Sequence, residues 1–327
     1  MNLRRRASCR IMSLDLAAIR AAHIRIAPHV HRTPVLTSAT LDALCGAQLF
    51  FKCENFQKIG AFKARGAANA VFSLTDTEAK AGVATHSSGN HAAALARAAR
   101  LRGIPAHIVM PLNAPKAKVE SVRRQGGIIV MCEPTLAARE STCARVMAET
   151  GARLVHPYND YTVMAGQGTA TLELLEQAPD LDLIIAPVGG GGLLSGTAVA
   201  AKRVKPGIKV IAAEPADADD AARSFAAGKL IPLEKTSTIA DGLRTSVGEK
   251  NFPLIRENVD AVVTVSEESI VAAMRRLWEV LKIVVEPSGA VPYAAIMENK
   301  IDLRRKRVGL IISGGNVDLD ALPWMKK

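Results

Sequence analysis

Long apolar runs, aromatic rings and paired cysteines are scarce in this chain of 327 residues, and each scarcity removes a class of protein. No stretch approaches the roughly 20 uninterrupted apolar residues that span a membrane. The first residues, MNLRRRASCRIM, are basic, but no apolar run of about 7–15 residues follows, so they do not read as a secretory signal. Aromatics make up 4%, with three Tyr and two Trp, which leaves few platforms for stacking nucleic-acid bases. The five cysteines, Cys9, Cys45, Cys53, Cys132 and Cys143, are odd in number and show no CxxC spacing. That pattern fits free thiols in a reducing cytoplasm better than a disulfide framework or a zinc site. Neither GxxxxGK(S/T) nor GxGxxG occurs, so ATP hydrolysis and dinucleotide binding lose ground. There is no repeat of fixed period and no low-complexity segment.

What is present is an ordinary globular composition, 49% hydrophobic and 22% charged, able to bury a core. The net charge is +11, from 42 Lys and Arg against 31 Asp and Glu. Arg4, Arg5, Arg6 and Arg10 lie in the first twelve residues, which contain no acid. The remaining excess reads as a basic surface or an attraction for small anions, and no nucleic-acid partner is expected. At about 100–200 residues per domain the length predicts two domains, or one interrupted by another. Residues 1–12 are set apart as an N-terminal extension, because Met12 is followed by Ser-Leu-Asp, a helix-capping pattern.

Strand and helix signals alternate along the chain. Strands are expected at 47–52, 83–85, 106–109, 128–131, 154–156, 183–187, 209–213 and 308–312. Helices are expected at 62–73, 91–102, 114–125, 136–150, 169–177, 193–202 and 269–281. This rhythm implies βαβ units and mostly parallel sheets, with ligands beyond the strand C-termini. The glycine-rich turns lie at that end.

Four clusters there carry chemistry. In Gly60-Ala61-Phe62-Lys63-Ala64-Arg65-Gly66 a lysine follows a tight turn at a helix start; it is a surface charge, or an amine of lowered pKa able to form a Schiff base. Ser87-Ser88-Gly89-Asn90-His91 brings hydroxyls, an amide and free N–H groups to a helix N-terminus, as a plain cap or as a carboxylate site. Gly189-Gly190-Gly191-Gly192-Leu193, wedged between a buried strand and a helix, favours a phosphate cradle over a flexible loop. Ser313-Gly314-Gly315-Asn316 closes the last strand and faces the same crevice. A lysine amine, a phosphate cradle and a carboxylate turn together point to pyridoxal 5′-phosphate acting on an amino acid.

The chain resembles the fold type II, tryptophan-synthase-like pyridoxal-phosphate enzymes of the serine/threonine dehydratase and serine racemase family. The resemblance runs from about Ser13 to Trp324, through KCENFQKIGAFKARGAANAV, SSGNH, AGQGT, GGGGLLSG, EPSGA and SGGNVDL in order. It implies an α/β fold of two open, twisted, mostly parallel sheets flanked by helices. A large cofactor-binding domain would comprise 13–81 and 161–327, and a small domain 82–160. Lys63 would carry the cofactor and take the α-proton, with Phe62 against the pyridine ring and Asn90 on its phenolic oxygen. Gly189, Gly190, Gly191, Gly192 and Leu193 would bind the phosphate, and Ser313 would meet the pyridine nitrogen. A neutral serine there favours β-elimination. Ser87, Ser88, Gly89 and His91 would hold the substrate carboxylate, and Ser88 is where racemases of the family exchange a proton on the opposite face. Arg65 belongs to structural support.

Glu214, the carbonyl of Ala218 and Asp220 match a divalent-cation site of the family, suited to Mg²⁺ or to Ca²⁺ or Mn²⁺; alone, such acids form a solvated turn. Two departures bear on substrate. Ala61 replaces the usual serine before Phe-Lys, which looks closest to the 3-hydroxyaspartate ammonia-lyases. Arg139 falls where racemases contact a dicarboxylate, and Thr245 could add a hydroxyl to that pocket; Arg139 alone is also compatible with a surface helix position. The resemblance therefore implies a hydroxy-amino-acid ammonia-lyase, with threonine or serine dehydration, serine racemisation and β-replacement as alternatives. It also implies a homodimer and, because the chain stops soon after SGGNVDL, no C-terminal regulatory domain.

Overall fold

The computed structural model describes residues 13–87 and 89–325. Ten strands build two sheets: β1 (Val35–Leu36), β2 (Gln48–Cys53), β3 (Val83–His86), β4 (Ala106–Pro111), β5 (Ile128–Cys132), β6 (Arg153–Leu154), β7 (Leu183–Pro187), β8 (Lys209–Pro215), β9 (Ala261–Val265) and β10 (Arg307–Ile312). A six-stranded sheet has the order β1-β2-β10-β7-β8-β9, and a four-stranded sheet the order β5-β4-β3-β6. Every pairing is parallel except β1 with β2, where Val35 faces Lys52. The four-stranded sheet uses one continuous stretch of chain inserted between β2 and β7.

Parallel strands covered on both faces read as unbroken apolar runs, and alternate side chains divide between the two layers. Val308, Leu310 and Ile312 of β10 pack with the helices Glu267–Leu281 and Pro287–Met297, while Ile311 turns to the opposite core, against Leu194 and Ala198 of the helix Gly192–Val204. Ile184 and Ile185 divide in the same way. The helix Asn90–Arg102 buries almost only alanines against the smaller sheet, which lets it lie close.

Two expected elements are misplaced, and the strand Ala261–Val265 and the helix Pro287–Met297 form where none was expected. The helix expected at 169–177 begins eight residues earlier, at Tyr161, with Asp160 capping it through the N–H groups of Thr162 (2.7 Å) and Val163 (3.3 Å). Its glycines are packing positions: a Cβ on Gly168 would sit 2.8 Å from the Gly196 carbonyl oxygen of the neighbouring helix. The strand expected at 154–156 stops at Leu154, and His156 turns back on its own backbone instead.

Candidate active site

The segments that follow β2, β3, β7 and β10 come together where the two sheets meet, through Asn316 on Ile59 and Asn90 and through Tyr158 against the glycine run. The turn after β2 is stressed: Ile59 has φ 60° and Gly60 φ 73°, and the Asn316 amide nitrogen donates to the Ile59 carbonyl at 2.8 Å. That turn delivers Lys63 to the first position of the helix Lys63–Phe72. Its Nζ donates to the Pro157 carbonyl at 2.9 Å and lies 5.1 Å from the Phe62 ring centre. Burial lowers the amine to about 8, partly offset by the nearby Glu286 carboxylate. Ala61 forms a bridge with Gly314, and the Phe62 N–H donates to the Ser313 carbonyl at 3.0 Å, so β10 holds the lysine turn directly.

Opposite, Gly89 caps the helix Asn90–Arg102, and a Cβ built on it would meet nothing within 4 Å. Ser87 lies half-buried beside it; Ser88 lies outside the described residues. The Asn90 amide nitrogen donates to both oxygens of Glu286, at 3.1 and 3.2 Å, and its oxygen accepts from Asn316 at 2.9 Å. Glu286, buried beneath these groups, is pushed up to about 7 by burial and by Asp241. His91 uses one ring nitrogen, Nε2, on the Val155 carbonyl at 3.0 Å, and its Nδ1 has no described partner. A nitrogen facing a carbonyl must carry the proton, so the His91 side chain has no N–H left for an anion and only its backbone N–H remains.

The glycine run leaves β7 at the N-terminus of the helix Gly192–Val204, where first-turn amides have no acceptor inside the helix. Gly191 has φ 91°, and a Cβ on Gly190 would fall 2.3 Å from the Tyr158 ring. The Asn251 amide nitrogen fixes the loop through the Gly190 carbonyl at 2.7 Å. Leu193 lies buried in the first turn.

Arg139 stands half-buried in the second turn of the helix Leu136–Thr150 and has no salt-bridge partner among the described residues. Its charge is felt by His86 and by Tyr158, whose hydroxyl lies near half-buried Thr245. Arg139 and Thr245 thus share Tyr158 as a neighbour. Sequence reasoning missed Tyr158, His86 and His156; only their places at the end of β3 and just beyond β6 could have marked them. It also gave no role to Glu286, although that residue opens the EPSGA motif.

Away from the crevice floor, Glu214 and Asp220 are both buried. Glu214 accepts from the N–H groups of Ala221 (3.0 Å) and Ala222 (2.9 Å), and Asp220 from Val247 (2.9 Å). The second oxygen of Asp220 is buried with no partner, and no described donor meets the carbonyl of Ala218. Burial, with mutual repulsion, pushes Glu214 up to about 9; burial pushes Asp220 up to about 6.

A lysine amine of depressed pKa between two open helix N-termini is the donor set of an enzyme built around a carbonyl-bearing phosphate cofactor. The chain matches the pyridoxal-phosphate dependent enzyme family over residues 26–314 and belongs to it. It is 55% identical over 304 residues to the beta-hydroxyaspartate dehydratase of Paracoccus denitrificans (strain Pd 1222), covering 93% of this chain and 96% of that one. It is 54% identical over 313 residues to a serine racemase of Oryza sativa subsp. indica, covering 94% and 92%. The solved structure of maize serine racemase superimposes with a TM-score of 0.93 at 53% identity, covering 96% of each chain. Among the described residues no helix is long and apolar enough to cross a membrane.

Proposed function

We propose that the protein is an ammonia-lyase for small β-hydroxy α-amino acids, and that 3-hydroxyaspartate, converted to oxaloacetate and ammonia, is its preferred substrate. The residues fit pyridoxal phosphate: a buried amine, a glycine cradle walled by Tyr158, and open space over Gly89 occupy one crevice. Bound there, the cofactor supplies an electron sink that acidifies the substrate α-proton and lets a β-hydroxyl depart. The amides of Gly189 to Leu193 hold its phosphate, with Phe62 and Ser313 on the ring and Asn90 oriented by Glu286 and Asn316. The backbone N–H groups of Gly89 and His91, with the hydroxyls of Ser87 and Ser88, hold the α-carboxylate. Lys63, half deprotonated near pH 8, takes the α-proton at Nζ while the Pro157 carbonyl fixes its direction. The water lost at elimination is regained in hydrolysis, so the net products are the 2-oxo acid and ammonia.

The observation carrying the substrate reading is Arg139, a half-buried arginine with no partner acid among the described residues, whose charge reaches Tyr158. A guanidinium fork there suits a second carboxylate. The serine racemases among the relatives, together with Ser88, support a second reading in which serine is racemised. We further propose that 13–81 with 161–327, and 82–160, act as the large and small domains, that two copies associate, and that the chain works in the cytoplasm. Glu214, Asp220 and the Ala218 carbonyl are assigned to a structural Mg²⁺ (or Ca²⁺ or Mn²⁺), because an orphaned Asp220 oxygen and two buried acids without a basic side-chain partner suit a cation that would displace their protons.

The test compares L-threo-3-hydroxyaspartate, L-threonine and L-serine for 2-oxo acid formation, with a chiral assay on serine. Hydroxyaspartate should win, and Arg139→Ala should cut its kcat/KM by about 10- to 100-fold while sparing serine, the size of a lost charge-assisted pair. Equal losses on all substrates, or D-serine as the main product, would overturn the substrate reading. Lys63→Ala should abolish every activity.

A further inference from the structure

Two histidines, His91 and His156, stand near enough to the Lys63 amine to feel its charge, a third, His86, stands edge-on to His156, and His156 is held differently from the others. His156 Nδ1 faces two backbone N–H groups of its own turn, Asn159 at 2.9 Å and Tyr158 at 3.3 Å. A nitrogen that accepts from two donors needs its lone pair and cannot carry a proton. The imidazole is therefore neutral, with its proton on Nε2.

The turn that it ties down, residues 156–159, carries two groups of the site. The Pro157 carbonyl receives the Lys63 amine at 2.9 Å. Tyr158 walls the glycine cradle: a Cβ on Gly190 would strike its ring, and one on Gly192 would lie 2.9 Å from its Cβ. The turn is anchored onward by Asn251, which donates to the Tyr158 carbonyl at 3.3 Å, and by Asn159, which accepts the Lys250 N–H at 2.9 Å. The His156 ring stands edge-on to Tyr158, with centres 4.6 Å apart, and to His86, 5.7 Å apart.

We propose that His156 is a positioning residue, a permanently neutral imidazole whose Nδ1 fixes the turn that aims the lysine and closes the phosphate cradle. It does not touch the reacting atoms. The titratable groups near it are Lys63, His86, His91 and Lys250, all cationic when protonated, and the Tyr158 phenol, neutral when protonated, which agrees with burial holding its own pKa down to about 4. No described carboxylate pairs with it to favour the imidazolium.

This inference rests on the pyridoxal-phosphate site but not on the choice of substrate. The first measurement is on the wild-type holoenzyme: ¹⁵N chemical shifts of the His156 ring from pH 5 to 9, assigned through bonds from the His156 backbone resonances. The expected result is an unprotonated Nδ1 and a protonated Nε2 throughout. A proton on Nδ1, or titration within that range, overturns the proposal even if no variant folds. The second measurement uses His156→Ala and His156→Asn, since asparagine can return a side-chain acceptor to nearby backbone N–H groups. His156→Ala should release cofactor at least about 10-fold faster and move the pH midpoint of the visible cofactor band, with kcat falling alongside. His156→Asn should recover most of both. Wild-type cofactor retention and pH midpoint in a folded His156→Ala, or a folded His156→Asn no better than alanine, would sink it. If hydroxyaspartate proves not to be the substrate while these shifts stand, only the substrate reading fails.

Discussion

Two regions of this molecule bury a pair of carboxylates, and they solve the problem in opposite ways. Behind the lysine helix, Arg65 is fully buried and forks onto both oxygens of Glu54 and both of Glu173, at 2.7–2.8 Å. Lys52 adds a third grip on Glu173 at 2.7 Å. Two cations face two anions, and although burial alone would raise the Glu173 carboxyl, Arg65 and Lys52 hold it below its usual range. Beyond β8, Glu214 and Asp220 have only backbone N–H donors, and the nearest guanidinium, Arg223, pairs with Asp219 instead. Their carboxyls rise. Burial of an acid thus says little until its counter-charge is found: the first pair is closed by the chain itself, the second asks for an ion from solution.

Removing Arg65 should break this comparison most severely. Arg65→Met would leave Glu54 and Glu173 sharing only Lys52, and uncompensated buried charge costs about 3–5 kcal/mol. Denaturant unfolding should show that loss; a change below about 1 kcal/mol would mean that the network is not a unit. Next in size is metal. Mg²⁺ at about 100 times its dissociation constant should add roughly 2.7 kcal/mol, read as a rise in Tm that EDTA reverses. Asp220→Asn should lose most of that response, and a wild-type protein indifferent to both Mg²⁺ and EDTA would refute the cation assignment.

The sequence made the alternation of elements, the glycine run and the lysine turn legible because each rests on local signals: apolar period, turn residues, capping. Leu136–Thr150 is recovered to the residue, since Thr135 caps it at 3.1 Å and Gly151 ends it in a left-handed turn. The helix Tyr161–Gln177 is misplaced at its start because Gly166 and Gly168 look like a break. Their meaning is tertiary: they let the lysine helix and the helix Gly192–Val204 approach. Tyr158 and His156 follow no pattern, since their roles depend on where the small sheet sits against the glycine loop. Arg65 could be read as support, but its partners Glu54 and Glu173, 11 and 108 residues away, could not.

Glu286 falls between the two regions and sharpens the contrast. It is buried like both pairs, its donors are the Asn90 amide and the Asn316 N–H, and Lys63 is close but not in contact. Its folded pKa of about 7 lies above the 4.5 of an ordinary glutamate. Between those values the folded chain keeps a proton that the unfolded chain has lost, so this group's contribution to stability falls as pH rises through the window. The slope is at most about 1.4 kcal/mol per pH unit. His91 and His156, lowered to about 3 and about 4, tilt the curve the other way up to pH 6.5. Glu286→Gln keeps those histidines and removes only the carboxyl, so the difference between the two curves isolates it. With Mg²⁺ present to hold the Glu214 pair constant, wild type should lose about 1 kcal/mol relative to the variant from pH 6 to 7. Parallel curves would show Glu286 ionised throughout, and would place it with the neutralised acids around Arg65.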